Sequence, residues 1–282
     1  MIERIEVFSP QPDAPVLPLS GFMPSDDPVQ VRNVEGLGPI KADIASTPFA
    51  TGRGEQYQGS TTGKRNIVFT LGLNPDWENQ TMSTLRQLLY RYFMTESWVK
   101  LRFYSDYLPP VDIEGYVETF EPNMFSEDPE MSISIICPKP DFIQTDATIV
   151  YGVVDDGTLE TSFEYIGTID TGYELRIEAS IPNVAYTGPI TITSTAFGEP
   201  QLVEVNPITI DVTQYFKFSS VRNAKRVYTV AVANGVFTNQ LSKMSDESVW
   251  PLLKPGENLI KVAASEPDQT WTMVYYNRFG GL

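Results

Sequence analysis

The chain has 282 residues, of which 41% are apolar and 20% charged, a composition that predicts a soluble, core-forming protein. It contains no histidine, which excludes Ser-His-Asp and Cys-His triads and His-bearing zinc sites. Its single cysteine excludes an intrachain disulfide and favours folding in a cytosol-like compartment. We expect neither a signal peptide, because the first residues are charged, nor membrane insertion, because no apolar run approaches the ~20 residues a span needs.

The charge balance is acidic in both halves of the chain. Twenty Lys and Arg stand against 36 Asp and Glu, a formal net charge of −16. Residues 1–140 hold 11 basic and 19 acidic side chains, a net −8, and residues 141–282 hold 9 and 17, again −8. A nucleic-acid-binding face would need clustered basic residues. We therefore expect no specific nucleic-acid binding.

Most of the sequence has the pattern of short β-strands separated by Pro, Gly, Asn and Asp. The strand-like segments of the first half are residues 65–73, 98–104, 112–122 and 131–137. Seven further segments between residues 161 and 276 show the same β-branched and aromatic bias. Asp156-Gly157 has turn chemistry, and residues 267–269 predict a hairpin. Strands at this spacing indicate a mainly β protein built of two sandwiches or barrels.

One segment, residues 79–95, has helical periodicity instead. Its apolar side chains recur every three or four residues and form one stripe: Met82, Leu85, Leu88, Leu89, Tyr92 and Phe93. Asn79 or Thr81 can cap the N-terminus. We expect a helix near 82–94 that packs on the first sheet and serves the core rather than a ligand.

Cys137 allows two interpretations, a reactive nucleophile or a core side chain. It ends a strand, and Pro138 and Pro140 cannot continue the hydrogen-bonded ladder because they lack an N–H. A fresh series of strands follows. We therefore interpret Cys137 as structural and place a domain boundary there, with domains at 1–140 and 141–282.

The segment 51–66 is the longest polar, glycine-rich run. It is not a phosphate-binding loop, because three residues instead of four separate Gly59 from Gly63 and Arg65 follows Lys64. Two alternatives remain for such a long loop: an arm that contacts a neighbouring subunit, or a solvated hairpin tip. The side chains suited to a subunit contact are Arg53, Glu55, Gln56, Tyr57, Lys64 and Arg65.

No spacing of Asp and Glu singles out a catalytic pair or a calcium loop. Trp250 and Trp271 could stack on a glycan, but Trp271 also belongs to an alternating strand pattern typical of a core. We predict no catalytic residue, no metal ligand and no cofactor.

Eight segments together resemble the distal tail proteins (Dit) of long-tailed bacteriophages, over nearly the whole chain. They are VEGLGPIKADI (34–44), RNIVFTLGLN (65–74), LRQLLYRYF (85–93), VKLRFY (99–104), GYVETFEP (115–122), ISIICPKPDF (133–142), WPLLKPGENLIKV (250–262) and MVYYNRFGGL (273–282). The sequence departs from the family in having Pro-Asp-Phe where Pro-Phe is more frequent.

The resemblance implies a structural protein of the virion tail tip, assembled in the host cytoplasm, and not an enzyme. It implies an N-terminal β-sandwich with a helix that forms a ring, usually a hexamer, through which DNA passes. It further implies a galectin-like C-terminal β-sandwich. The implied partners are other copies of the chain, the tail tube protein, the baseplate hub or tail-associated protein, and receptor-binding proteins. A carbohydrate-binding adhesin that contacts the host surface and a β-sandwich glycosidase are the competing hypotheses.

Overall fold

The computed structural model describes residues 2–9, 11, 14–20, 27–123, 129–178, 185–265 and 269–282. The chain divides into two compact units. The first unit comprises Met1–Thr145 and Phe279–Leu282, and the second comprises Asp146–Arg278. The chain therefore passes from the first unit to the second and returns for its last four residues.

The elements of the first unit are β1 (Ile2–Phe8), β2 (Leu17–Ser20), β3 (Val29–Glu35), β4 (Ala42–Pro48), β5 (Glu55–Thr62), β6 (Arg65–Leu73), α1 (Met82–Phe93), β7 (Trp98–Ser105), β8 (Val111–Asn123), β9 (Glu130–Cys137) and β10 (Phe142–Gln144). Those that follow are β11 (Thr148–Val153), β12 (Thr161–Tyr165), β13 (Glu174–Glu178), β14 (Tyr186–Ala196), β15 (Glu199–Ile210), β16 (Gln214–Ser219), β17 (Arg226–Ala231), β18 (Phe237–Asn239), a 3₁₀ turn (Leu241–Lys243), β19 (Gly256–Ala264), β20 (Thr270–Tyr275) and β21 (Arg278–Phe279). The prediction of a mainly β protein is confirmed. No helix in the described ranges is long and apolar enough to cross a membrane.

The first unit is built on one sheet that closes on itself. Its strand order is β21-β10-β8-β7-β1-β2-β3-β6-β9, and an additional β8–β9 pairing joins the two ends of the seven-strand circuit from β8 to β9. Strand β8 makes this possible because it is 13 residues long. It pairs with β7 up to Tyr116 and with β9 from Tyr116 onward, with a register shift between Val117 and Thr119. Such bulges bend a strand and let it serve two layers.

Alternating side chains of β6 and β9 form the centre of the first core. Ile67 lies opposite Ile135, and Phe69 lies opposite Ile133, so these residues share one face of the sheet. All four are fully buried. Gly115 on β8 leaves room for this layer, since a Cβ there would lie 2.7 Å from the Ile135 side chain.

Helix α1 supplies the second layer over this sheet. Of the two predicted caps, Thr81 is the one used: its hydroxyl accepts a bond from the Thr84 amide, and the Thr84 hydroxyl accepts from the Thr81 amide. The predicted stripe points inward, with Leu89 and Phe93 fully buried. The predicted helix and its core role are confirmed.

The predicted domain boundary at 140/141 lies too early. Pro138 and Pro140 do end β9 at Cys137, but the chain then forms β10, which pairs with β8. Phe142 at the start of β10 is fully buried, and the centre of its ring lies 5.6 Å from the centre of the Phe103 ring. The prolines therefore interrupt the ladder inside the first unit, and the second unit begins at Asp146.

The second unit is a β-sandwich of two antiparallel sheets. The strand order is β11-β20-β13-β16-β17-β18 in one and β12-β19-β14-β15 in the other. The predicted turn at Asp156-Gly157 is present, with Gly157 at φ +94°, and it links β11 of one sheet to β12 of the other. The hairpin predicted at 267–269 is wrong, because β19 and β20 belong to different sheets; residues 266–268 lie outside the described ranges. Turn chemistry predicts a reversal of the chain but not which sheet the next strand joins.

Candidate assembly interface

Strands β4 and β5 form a separate two-stranded sheet, which we call the arm (residues 42–62). They pair antiparallel from Ala42 opposite Thr62 to Pro48 opposite Glu55, with a register shift after Ala45. Neither strand pairs with any other described strand. The arm is inserted between β3 and β6, which pair directly with each other in the main sheet.

The arm has no buried residue in either strand. Its large apolar side chains are nevertheless exposed: 68% for Ile44, 52% for Phe49 and 63% for Tyr57. An isolated two-stranded hairpin is at best marginally stable in water, because no layer covers its faces. Its two outer edges also carry free N–H and C=O groups that can pair with another chain. These features are typical of a surface that is covered by a partner.

Local contacts hold the two strands of the arm together. The Ser46 hydroxyl on β4 donates to the Glu55 carboxylate on β5, and within β5 the Tyr57 hydroxyl donates to the Ser60 hydroxyl over 2.8 Å. The connecting turn reverses through Gly54, whose φ of +101° is accessible to glycine without strain. The backbone pairing of β4 and β5 sets the arm's internal register, and these bonds leave its faces open.

Arg65, the first residue of β6, anchors the root of the arm. Its side chain is only 2% exposed. The guanidinium donates to four backbone carbonyls: to Gly36 at 2.5 Å, Gly38 at 2.7 Å, Pro140 at 2.7 Å and Gly280 at 2.6 Å. One side chain thereby joins three segments of the first unit that are distant in sequence.

The surroundings of Arg65 compensate for its burial. Burial lowers the pKa of the guanidinium, and the nearby charge of Asp141 opposes that shift. The guanidinium carbon lies 4.5 Å from the centre of the Phe142 ring, a cation–π distance. Because an arginine side chain has no acceptor and does not lose its proton in proteins, this charge must be held by acceptors, which the carbonyls supply.

Cys137 lies beside Arg65 and is fully buried. Desolvation raises the pKa of its thiol to about 12, although the Arg65 charge acts in the opposite direction. A thiol with such a pKa is protonated at neutral pH and is not nucleophilic. The interpretation of Cys137 as a structural side chain is confirmed.

The structure places most of the predicted contact residues on the arm. Glu55, Gln56 and Tyr57 lie on β5, Arg53 lies in the turn and Lys64 follows the second strand, all exposed. Whether they touch a subunit stays a prediction. The prediction for Arg65 is wrong, because its side chain is buried and bonded within its own unit.

The prediction of a long loop at 51–66 is also wrong, because residues 55–62 form a strand. Ile44 and Phe49 were not predicted as exposed apolar residues, because residues 42–49 show no hydrophobic alternation. The available signal was a pair of glycines, Gly52 and Gly54, between two Ser/Thr-rich segments.

Trp271 does not provide a sugar platform. It is 1% exposed and its indole N–H donates to the Val153 carbonyl over 3.2 Å. Gly152 on the neighbouring strand makes room for the ring, since a Cβ there would lie 2.2 Å from it. Trp250 is half-buried and stacks on Phe218, with ring centres 5.5 Å apart. Of the two interpretations of Trp271, the core position is therefore the one the structure supports, and the stacking role is wrong.

No protein-family model and no curated protein matches the sequence. Among solved structures, the Dit protein (gp 19.1) of phage SPP1, described as a paradigm of the hub adsorption apparatus in phages that infect Gram-positive hosts, is similar. Its TM-score is 0.63 at 16% identity, over 88% of this chain and 93% of that one. A chain of the phage P2 baseplate in its activated conformation with calcium matches over 100% of both chains, at 9% identity and a TM-score of 0.43. A β-fructofuranosidase of Schwanniomyces occidentalis covers 84% of this chain and 59% of its own, at 7% identity and a TM-score of 0.24.

Only the first of these similarities is high enough to support an inference, and at that identity it concerns the fold. The chain has the fold of the SPP1 Dit protein, as the sequence resemblance predicts. The galectin-like character of the second unit stays a prediction.

Replacing Trp271 by Ala tests its role as a core residue. We expect the free energy of unfolding of the second unit to fall by about 3–5 kcal/mol, the usual cost of truncating a buried aromatic side chain. Tyr151→Ala is the control, because Tyr151 is 68% exposed and its loss should change stability by less than about 0.5 kcal/mol. Equal small effects in urea unfolding would contradict the buried placement.

The raised thiol pKa of Cys137 predicts a pH dependence of stability. In the unfolded chain the thiol ionises near its ordinary pKa of 9.0, whereas in the folded chain it stays protonated up to about 12. The stabilisation is fully present below pH 9 and is lost as the pH rises toward 12, with a limiting slope of about 1.4 kcal/mol per pH unit. We expect the unfolding free energy to fall more steeply with pH above 9 in the wild type than in Cys137→Ala. Identical slopes would show that the thiol is not shielded.

Proposed function

We propose that this chain is a structural protein of a bacteriophage tail tip whose copies join through the arm into a ring. In this proposal the ring is a hexamer that connects the tail tube to the baseplate hub. DNA passes through its centre, and the second unit carries receptor-binding components. The chain acts by self-assembly and positioning and performs no chemical reaction.

The observation that carries the proposal is the arm. A folded chain rarely presents three large apolar side chains on one hairpin without a covering layer, because their exposure opposes folding and promotes association. A neighbouring copy would bury Ile44, Phe49 and Tyr57 and pair one free edge of the arm. The apolar surface of the arm would then stabilise the assembly, although it does not stabilise a single chain.

The shape of a ring requires this kind of contact. In a closed ring each subunit offers one surface to the next and receives a different one, so the interface is heterologous. An element that protrudes from one edge of the subunit meets that requirement without the two-fold symmetry of a simple dimer. The shared fold with the SPP1 Dit protein, described as a paradigm of a hub adsorption apparatus, supports a tail-tip role.

The acidic character of the chain fits a DNA conduit. Residues 1–140 carry 11 basic and 19 acidic side chains. An excess of carboxylates along a channel repels phosphate, so DNA would slide through it without binding. The same charge would disfavour retention of the genome at the tip.

The adhesin alternative has less support. Its two candidate stacking residues do not form an open platform, since Trp271 is buried and Trp250 is stacked on Phe218. The second unit is therefore assigned a scaffolding role in the proposal.

Charged substitutions on the arm test the assembly. We expect Ile44→Asp with Tyr57→Asp to keep the melting temperature and circular dichroism of the wild type but to remain monomeric, because the interface would have to bury two carboxylates. The matched control is Ile149→Asp with Tyr151→Asp, which changes the same residue types at exposed positions of the second unit. Sedimentation velocity and negative-stain imaging over a concentration series, with and without purified tube protein, measure the outcome.

Closed rings in the wild type and the control, and monomers in the arm variant, are the expected result. Rings of equal abundance in the arm variant would contradict the role of the arm. A wild-type chain that stays monomeric even with tube protein present would contradict the proposal as a whole.

A further inference from the structure

The geometry points to a clamp in which residues 280–282 fix the direction of the arm, so that the arm is held in place only after the chain has been synthesised past the second unit. The consequence for assembly rests on the proposed function. The clamp itself is a property of the first unit and can be measured without any ring.

The first step concerns the two connections of the arm. Residues 36–41 lead from β3 into the arm, and only Gly63 and Lys64 separate the arm from β6. Because no residue of either arm strand is buried, no packed layer orients the arm. Its direction therefore depends on how firmly these two short connections are held.

The second step is that the entering connection rests on the backbone of β6. Gly36 has a φ of +84°, and a Cβ at this residue would lie 1.9 Å from the Asn66 carbonyl oxygen. Only glycine permits this approach. Arg65 then fixes the same connection through its bonds to the Gly36 and Gly38 carbonyls.

The third step is that three consecutive residues from the far end of the sequence complete this contact. The Gly280 carbonyl accepts from Arg65, and the Leu282 amide donates to the Leu37 carbonyl over 2.9 Å. Gly281 lies against the same connection, since a Cβ there would lie 2.9 Å from the Pro39 nitrogen. Residues 280–282 thus contact the connection that enters the arm, a few residues before β4 begins.

The clamp can form only late in synthesis, because its residues follow the second unit in the sequence. Residues 146–278 form the second unit and must be synthesised before residues 279–282 can return to the first. Until then Phe279 is missing from the first core and Arg65 lacks one of its four acceptors. A chain interrupted within the second unit would carry an arm without a fixed direction. Such a chain would be incorporated into the ring less readily than a chain with a fixed arm.

Distances between two spin labels on the 282-residue chain test the clamp directly. Cys137 is buried, so cysteines introduced at the exposed positions Thr51 on the arm turn and Gln87 on α1 can be labelled selectively. The clamp variant is Gly281→Val, whose side chain would press on Pro39. The matched control is Gly38→Ala, because a Cβ at Gly38 has no atom within 4 Å. Deletion of residues 280–282 is the second clamp variant and removes the contacts without adding bulk.

We expect a narrow distance distribution in the wild type and in Gly38→Ala, and one about twice as wide in both clamp variants, because an unheld hairpin samples many directions. Circular dichroism and hydrogen exchange of β6 and β9 verify that the core stays folded. We also expect the concentration needed for ring formation to rise about tenfold in the clamp variants, since a mobile arm must be ordered on binding.

Equal widths in the deletion variant and the wild type would overturn the clamp. Wider distributions in a chain that forms no ring under any condition would support the clamp and contradict the proposed function instead. Unchanged ring formation despite wider distributions would overturn the link between the clamp and assembly.

Discussion

The buried guanidinium of Arg65 bonds to backbone carbonyls in three segments of the first unit, at positions just outside the paired strands. Transferring a charge from water into a protein interior costs several kcal/mol even after relaxation. Hydrogen bonds to a charged group contribute about 1.5–3 kcal/mol each, so four carbonyl acceptors offset that cost where one or two would not. Each acceptor that is lost therefore makes the burial of Arg65 less favourable. This explains why Gly36, Gly38, Pro140 and Gly280 all converge on one side chain.

Arg65 lies at the boundary between the packed core of the first unit and the exposed arm. On one side of Arg65 lies a closed sheet whose core residues are almost fully buried, with helix α1 packed over it. On the other side lies the arm, which buries nothing of its own. A rigid root lowers the entropy that a neighbour must remove when it binds the arm. The assembly hypothesis explains why the core is buried within one chain while the arm is exposed: the arm is buried by a neighbouring copy.

The core was predictable from the sequence because burial leaves periodic patterns. The helix stripe, the alternating strands and the buried Cys137 all follow from the spacing of apolar residues. The arm was not predictable in this way, since strands without a buried face show no alternation. The burial of Arg65 was not predictable for a related reason. Its hydrogen-bond partners are backbone carbonyls, so no side-chain motif in the sequence indicates them. The false hairpin at 267–269 depends on which sheet each strand joins, a long-range property that local patterns do not carry.

Reconstruction of an assembled particle by electron cryomicroscopy would test the central claim most directly, because it shows where each arm lies. The account predicts a closed ring in which Ile44, Phe49 and Tyr57 of every copy are covered by the next copy and one edge of the arm is paired. A ring whose arms point into solvent, with its subunits joined through other surfaces, would contradict it.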